Sequence, residues 1–450
     1  MKAPSVRVRE VGVFLRPVRT RIPFRYGTAV VTDEPIAHLR MAAEVEGRPV
    51  TGVSAAALPP LWFDKDPSRT HEDDIRDLLR SVRTAADVYR GLPAAAAFAL
   101  HRAAEPEARR RLADQNELTA GFGVALLDEA AVDAVCRATG RTFHQGLVDD
   151  LFGWGPEGVP ARPLERVFVR HTVGMGDPIR ESDPRERVGD GLPETLEEVV
   201  RAYGVRYFKV KISGDAGASL DRLRRIAGVL DRDAGDYRVT LDGNEQFHAM
   251  EDALGFARRV AGEPGLRDFW ARTLWIEQPV ERGAALDPAV ERPLRELVRV
   301  KPVILDESDG TDEAVDRGLS LGYAGISAKN CKGVFRTLHS YRRVREAGAI
   351  LSSEDLMNTP VVPLHQDLCV AAALGIPHSE RNGHHYIRTF EYLSPLEREA
   401  AFREYPSLYR TLPSGLGAVR IDGGAMSVRE INAVGFGVAT EPDWKSLVPA

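Results

Sequence analysis

The chain is organised around the stretch Phe208-Lys209-Val210-Lys211-Ile212, in which two lysines alternate with apolar residues. In a β-strand successive side chains point to opposite faces, so Lys209 and Lys211 share one face and the apolar residues share the other. Two ammonium groups on one face of an apolar strand cost free energy unless anionic or catalytic groups lie opposite them. The stretch therefore predicts a buried strand whose charged face belongs to a functional site.

Four later apolar runs end in charged residues or contain them. They are Leu241-Asp242-Gly243-Asn244, Trp275-Ile276-Glu277-Gln278-Pro279, Ile304-Leu305-Asp306-Glu307-Ser308 and Gly325-Ile326-Ser327-Ala328-Lys329-Asn330. Successive runs, counted from the lysine strand onward, lie roughly 30 residues apart, which is the length of one βαβ unit. A (β/α)₈ barrel presents its functional side chains at the carboxyl ends of successive strands. The spacing therefore predicts an α/β fold, a TIM-type barrel with a functional residue on each of five strands.

The regions on either side of this pattern predict a second domain. Strand and helix signals alternate over residues 161–408, which we assign to the barrel, with strands expected near residues 166, 207, 237, 273, 302, 324, 349 and 375. Residues 1–160 are assigned to an N-terminal α+β capping domain, because sheet patterns within residues 4–55 precede helical patterns over 71–138. The segment 409–450 has short strands punctuated by glycine and is expected to return to the cap.

Composition argues against several classes of partner. The chain has 450 residues and is 43% hydrophobic, enough for one barrel and a second domain. Its formal net charge of −6 leaves no basic surplus for nucleic acid. Three unpatterned cysteines favour a reducing, cytoplasmic compartment. We find no signal-peptide pattern in the first residues and no apolar run of about 18 residues, so no membrane partner is expected.

In this order, the five motifs resemble those of the enolase superfamily, in its mandelate racemase/muconate lactonizing enzyme family and the muconate-lactonizing subgroup. Lys209-Val210-Lys211 resembles the Lys-x-Lys strand of that subgroup, and Ser327-Ala328-Lys329-Asn330-Cys331-Lys332-Gly333 resembles its sixth-strand lysine motif. The resemblance covers nearly the whole chain and implies a capped barrel in a homo-oligomer. The later histidine–aspartate pair of mandelate racemase is missing, and residues 174–193 form a long insertion.

The resemblance implies a Mg²⁺-dependent enzyme, with Mn²⁺ as a substitute, that removes the proton α to the carboxylate of a small molecule and forms a metal-stabilised enediolate. The implied metal ligands are Asp242, Glu277 and Asp306, and carboxylate oxygens suit a hard divalent cation. The implied catalytic bases are Lys211 and Lys329. The neighbouring Lys209 is expected to lower the pKa of Lys211 by charge repulsion. The implied orienting groups are Asn244 and Glu307.

Two lysines on either side of one carbon favour a racemase or epimerase, because a proton removed from one face can return to the other. A cycloisomerase or a syn-dehydratase, which is a lyase, would need only one lysine and is the alternative within the superfamily. Candidate substrate contacts are Phe24 and Tyr26, on a predicted loop over residues 22–27, together with Glu354 and Glu380 after the seventh and eighth strands.

Two readings of a different class stay open at this point. A barrel glycosidase could use Glu277 and Glu354 as its carboxylate pair, although both lysines would then have no role. A catalytically silent barrel could bind a small acid without reacting with it. The motifs do not name the substrate.

Overall fold

The computed structural model describes residues 2–450. The N-terminal region contains five antiparallel strands. The strands are β1 (Val6–Arg16), β2 (Arg19–Tyr26), β3 (Ala29–Asp33), β4 (Ile36–Val45) and β5 (Arg48–Ala57). β1, β4 and β5 pair in one sheet, and β2 and β3 form a separate hairpin. The prediction of a loop over residues 22–27 was wrong, because Phe24 pairs with Val31 and Tyr26 with Ala29. The period of two explains this strand, since Phe24 and Tyr26 are buried while Arg25 between them is exposed.

Four helices follow this sheet. They are α1 (His71–Gly91), α2 (Ala97–Arg111), α3 (Glu117–Thr139) and α4 (Phe143–Val148). The helical pattern predicted over residues 71–138 is therefore confirmed. The central helix is α3, which packs against α1 and β5 and is buried along most of its length. Gly123 permits this packing, because a Cβ atom there would lie 2.2 Å from the backbone oxygen of Ser81 in α1.

The parallel strands of the described chain form a closed barrel. They are β6 (Arg166–Val173), β7 (Tyr207–Lys211), β8 (Arg238–Asp242), β9 (Thr273–Glu277), β10 (Val303–Leu305), β11 (Gly325–Ala328), β12 (Ile350–Ser353) and β13 (His378–Arg381). Each strand pairs with the next, and β13 pairs with β6 to close the ring. This confirms the predicted TIM-type barrel and the expected positions of its strands.

Helices connect the barrel strands, and two more, α14 and α15, follow the last of these strands. The α-helices are α5 (Leu196–Tyr203), α6 (Ala216–Asp233), α7 (Met250–Gly262), α8 (Arg267–Ala271), α9 (Arg282–Ala285), α10 (Glu291–Val300), α11 (Glu313–Leu321), α12 (Val334–Ala347), α13 (Val362–Ala373), α14 (Gly383–Tyr386) and α15 (Pro395–Glu404). Helix α5 shows why the helices begin and end where they do. Thr195 and Glu198 form a capping box at its start, and Gly204 ends it with a φ of 63°.

The C-terminal segment contacts both parts of the molecule. Its strands are β14 (Tyr409–Thr411), β15 (Gly417–Val419), β16 (Ala425–Ser427) and β17 (Val448–Pro449). β17 pairs with β1 of the N-terminal sheet, whereas β16 pairs antiparallel with the barrel strand β6. Across residues 2–450, every helix is too short or too polar to cross a membrane.

Candidate active site at the barrel mouth

The functional side chains predicted from the sequence lie at one end of the barrel. Lys211, Asp242 and Glu277 are the last residues of β7, β8 and β9, and they are direct neighbours in the parallel register. Asp306 follows the last residue of β10, and Lys329 follows the last residue of β11. Because the strands are parallel, these residues all belong to the same barrel mouth.

Two lysines approach one cavity from opposite sides of the barrel. β7 and β11 are four strands apart in the closed ring, and both Lys211 and Lys329 line the same cavity. Lys211 Nζ donates to Asp242 Oδ2 at 2.6 Å. Lys329 Nζ donates to Asp306 Oδ2 at 2.5 Å and to Glu354 Oε2 at 3.0 Å. Burial disfavours the charge on Lys329, but Asp306 and Glu354 outweigh burial and hold its pKa well above the ordinary value.

Lys209 lies in the middle of a ring of carboxylates. Its Nζ is 2.6 Å from Glu354 Oε2, 2.7 Å from Glu277 Oε1, 2.8 Å from Glu380 Oε2 and 3.0 Å from Asp242 Oδ2. Burial opposes its charge, yet these carboxylates raise its pKa well above the ordinary value. The charge of Lys209 is therefore neutralised by its four partners, and its expected effect on Lys211 stays a prediction.

A compact group of buried carboxylates offers ligand atoms for a cation. One oxygen each from Glu277, Asp306 and Glu354 lies within 4.8 Å of the others. Glu277 Oε2 is buried and has no hydrogen-bond partner among residues 2–450. Burial, with repulsion from Asp242 and Glu354, raises the pKa of Glu277 well above the ordinary value. A buried carboxylate oxygen without a partner fits a hard divalent cation, so these residues fit the metal that the sequence motifs imply.

The three predicted metal ligands differ in their surroundings. Glu277 and Asp306 belong to the compact group, whereas Asp242 Oδ2 accepts from Lys211 and lies 3.0 Å from Lys209 Nζ. Burial raises the pKa of Asp242, but the two lysines outweigh it and the net shift is downward. The compact group of the structure therefore has Glu354 as its third member, and Asp242 stays a ligand predicted from the sequence.

Glu354, predicted as a substrate contact, is buried and bonded to cations. Its side chain is fully buried, and it is not one of the described residues that line the cavity. Its carboxylate accepts from Arg170 Nη2 at 2.7 Å as well as from Lys209 and Lys329. Three cations therefore hold this carboxylate, and its role as a substrate contact stays a prediction. Sequence reasoning also missed Arg170, although an arginine inside the apolar strand β6 gives the same kind of signal as Lys209.

Asn244 and Glu307 contact each other and connect the barrel to the N-terminal domain. Asn244 Nδ2 donates to Glu307 Oε1 at 3.0 Å, and Asn244 lines the cavity. Lys65, from the loop after β5, donates to the backbone oxygen of Asn244 at 2.9 Å and to Glu307 Oε1 at 3.3 Å. These bonds position the loop over residues 58–70 above the barrel mouth.

Aromatic residues of the N-terminal domain cover the two lysines. Lys211 Nζ lies 5.7 Å from the centre of the Tyr26 ring, and Lys329 Nζ lies 5.0 Å from that of Trp62. Phe24 also lines the cavity. The aromatic candidates from β2 therefore reach the cavity, as does Glu380, whose Oε1 accepts from Thr172 Oγ1 at 2.7 Å.

Two further carboxylates of the cavity were missed by sequence reasoning. Glu34 and Asp355 both line it and are buried. Asp355 directly follows Glu354 at the end of β12, so its position after a barrel strand was the available signal. Glu34 lies between β3 and β4 in the N-terminal domain, where no spacing rule points to the barrel.

The glycosidase alternative is not favoured by this geometry. A glycosidase needs two carboxylates that face the substrate about 5–5.5 Å or 6.5–9.5 Å apart. Glu277 and Glu354 instead share Lys209 as a partner, at 2.7 and 2.6 Å. Neither Glu277 nor Glu354 is among the described residues that line the cavity.

Comparison with known proteins gives similarity in fold but not in sequence. A scan of family models found no match, and a search of curated proteins found none. The solved N-succinyl Arg/Lys racemase from Bacillus cereus ATCC 14579 is similar with a TM-score of 0.65 and 16% identity over 99% of this chain and 97% of that chain. The solved 2-chloromuconate cycloisomerase from Rhodococcus opacus 1CP is similar with a TM-score of 0.65 and 15% identity, over 98% of each chain.

A third solved structure is the dipeptide epimerase from Enterococcus faecalis V583, complexed with Mg and the dipeptide L-Leu-L-Tyr. It is similar with a TM-score of 0.64 and 16% identity, over 98% of this chain and 100% of that chain. Other similar structures carry the description mandelate racemase/muconate lactonizing protein. At these identities the similarity shows the fold, which is that of the family the motifs resemble.

Proposed function

We propose that this chain is an enolase-superfamily enzyme that removes the proton α to the carboxylate of a small acid, and that it is a racemase or epimerase. One observation carries the proposal: Lys211 and Lys329 line the same cavity from strands on opposite sides of the barrel. The fold similarity to a solved racemase and a solved epimerase supports it.

We propose Mg²⁺ as the cofactor, held by Glu277 and Asp306 together with Asp242 or Glu354. Two observations support this proposal. Glu277 Oε2 has no hydrogen-bond partner among the described residues, and the similar dipeptide epimerase structure is a complex with Mg. When bound, a divalent cation stabilises negative charge that develops on the substrate carboxylate as the proton leaves. The acidic residues of the chain hold that cation in place.

The two lysines exchange the proton in this proposal. One lysine acts in its neutral form, and its Nζ accepts the α-proton as the carbon–hydrogen bond breaks and a nitrogen–hydrogen bond forms. The other lysine acts as an ammonium and donates a proton to the opposite face of the same carbon, which inverts its configuration. Trp62 and Tyr26 cover the lysines and exclude water, which favours this local exchange.

Racemisation is preferred to elimination or cycloisomerisation because both lysines reach the cavity. Lys211 and Lys329 are 6% and 4% exposed, so each is buried to a similar degree and each lines the cavity. Elimination and cycloisomerisation need one general base, so they would leave the second lysine without a role. The similarity to a solved cycloisomerase keeps this second reaction as the alternative within the proposal.

Proton exchange in D₂O tests the proposed function. The Mg²⁺-loaded protein is incubated with single stereoisomers of candidate acids, and proton NMR follows the loss of each α-proton signal. We expect exchange that EDTA abolishes. Lys211→Ala and Lys329→Ala should each stop exchange of one stereoisomer, and Lys445→Ala, a remote exposed lysine, is the control.

The products separate the alternatives. A racemase or epimerase leaves the mass and the unsaturation of the substrate unchanged, whereas elimination changes both. Full activity of Lys329→Ala on both stereoisomers would rule out the use of two lysines. Exchange that persists in EDTA would rule out the metal-dependent reaction.

A further inference from the structure

One side of the cavity carries a carboxylate without a counter-charge. Glu34 lies between β3 and β4, is 2% exposed and lines the cavity. Its Oε2 atom is buried and makes no hydrogen bond to any residue in the range 2–450. A buried polar atom that lacks a partner costs free energy, which suggests a ligand group that supplies the partner.

A second carboxylate lines the same cavity. Asp355 follows β12 and is 4% exposed. Its Oδ2 accepts from Arg381 Nη1 at 2.9 Å, while its Oδ1 is buried and lacks a partner in the described chain. Glu34 and Asp355 therefore each contribute one unsatisfied carboxylate oxygen.

The two carboxylates disfavour each other's negative charge. Burial and the neighbouring Asp355 carboxylate raise the pKa of Glu34 well above its usual range. The cavity lysines are already engaged, Lys211 by Asp242 and Lys329 by Asp306 and Glu354. Glu380 provides a contrast, because this carboxylate of the same cavity is bonded to Lys209 and Thr172.

We propose that the substrate carries a protonated amine in addition to its carboxylate, and that Glu34 and Asp355 bind this amine. The inference rests on the proposed function, in which the two lysines and the acidic group act on the α-carbon and the carboxylate of the substrate. Two of the three N–H donors of an ammonium can satisfy the two unpartnered oxygens, and its positive charge attracts the two buried carboxylates. An acid that also carries an ammonium is an amino-acid derivative or a short peptide.

Two matched pairs of acids test the proposal and separate the two sources of the amine. The first pair is Nα-acetyl-lysine and Nα-acetyl-norleucine, which differ in a side-chain ammonium. The second is alanyl-leucine and N-acetyl-alanyl-leucine, which differ in an N-terminal ammonium. Calorimetry measures affinity for the Mg²⁺-loaded full chain, and NMR in D₂O measures α-proton exchange.

We expect the ammonium-bearing member of at least one pair to bind about tenfold more tightly or better. In Glu34→Gln this preference should fall to about twofold or less, mainly through weaker binding of the member that carries the ammonium. Asp355→Asn is the second variant and should reduce the preference in the same direction. Glu10→Gln, an exposed glutamate of β1, is the matched control and should keep the preference.

Equal affinity within both pairs, an equal loss for both members in Glu34→Gln, or no binding of any acid would overturn the amine site. The outcomes also separate this inference from the proposed function. Exchange of acids that lack an ammonium, without preference for an amine, would overturn the site and leave the proposed function intact. Amine-dependent binding that Glu34→Gln removes, without α-proton exchange, would support the site and contradict the proposed function.

Discussion

Lys329 Nζ lies 5.0 Å from the centre of the Trp62 ring, so a loop of the N-terminal domain covers the lysine that follows β11. The loop is held in this position by Lys65 and by Arg282, whose Nη2 donates to the backbone oxygen of Trp62 at 2.9 Å. The two domains therefore complete the cavity together. The barrel supplies the charged groups, and the N-terminal domain supplies the cover.

Removing this cover should weaken the reaction more than it weakens the fold. In Trp62→Ala we expect kcat/KM for α-proton exchange to fall by about tenfold or more, because a cation–π contact is lost and water enters. Trp62→Phe should retain most of the activity. Trp444→Ala, at a tryptophan that packs on Phe14, is the remote control. Unchanged kcat/KM in Trp62→Ala would contradict a covering role.

Lys209 should be essential for stability when no metal is bound. Lys209→Met leaves Asp242, Glu277, Glu354 and Glu380 facing one another without their shared cation. We expect the free energy of unfolding in EDTA to fall by about 3–5 kcal/mol. Denaturant unfolding measures this change, and Mg²⁺ should restore part of the loss. The stability of Lys445→Met should be unchanged, and an equally stable Lys209→Met would show that the ring does not need this charge.

Metal affinity should identify the third ligand. If the ligands are those predicted from the sequence, Mg²⁺ binding should weaken by about tenfold or more in each of Asp242→Asn, Glu277→Gln and Asp306→Asn. Calorimetry with the full chain measures the affinity, and the Mg²⁺-dependent rise in Tm provides a second readout. Normal affinity in Asp242→Asn together with weak binding in Glu354→Gln would assign Glu354 as the third ligand.

The buried Glu129 should make the free energy of unfolding fall as the pH rises. It lies in α3, is 1% exposed, and both of its carboxylate oxygens lack hydrogen-bond partners in the described structure. Burial, with repulsion from Asp367 and Asp128, raises its pKa well above the ordinary value. The folded protein therefore holds this proton more tightly than the unfolded chain. The resulting stability is present below the unfolded pKa and is lost as the pH rises toward the folded pKa.

Glu129→Gln should remove this dependence. We expect a higher Tm than the wild type at pH of about 8 and little difference at pH of about 4, because the wild-type side chain is neutral at the lower value. Thermal unfolding at both values measures the effect. Glu186→Gln, at an exposed glutamate, is the control. A lower Tm in Glu129→Gln at both values would contradict an unpaired buried carboxyl.

Local patterns in the sequence were sufficient for the barrel and for the ends of its strands. The alternation in Phe208-Lys209-Val210-Lys211 and the carboxylates after later apolar runs depend only on neighbouring residues, because a strand repeats every two residues. The interval between runs reflects one strand and one helix. These features predicted the eight strands and brought Lys211, Asp242 and Glu277 to one mouth.

Only the tertiary structure decided which charges meet. Lys209 and Lys211 share a strand face, but Lys209 reaches across the barrel to Glu354 and Glu380, whereas Lys211 binds Asp242 on the next strand. The joint lining of one cavity by Glu34 and Asp355 follows from the packing of the N-terminal domain on the barrel. Such contacts join residues far apart in the chain, so no local period encodes them. The sequence by itself determined which strands carry charge, and the packing determined how each charge is compensated.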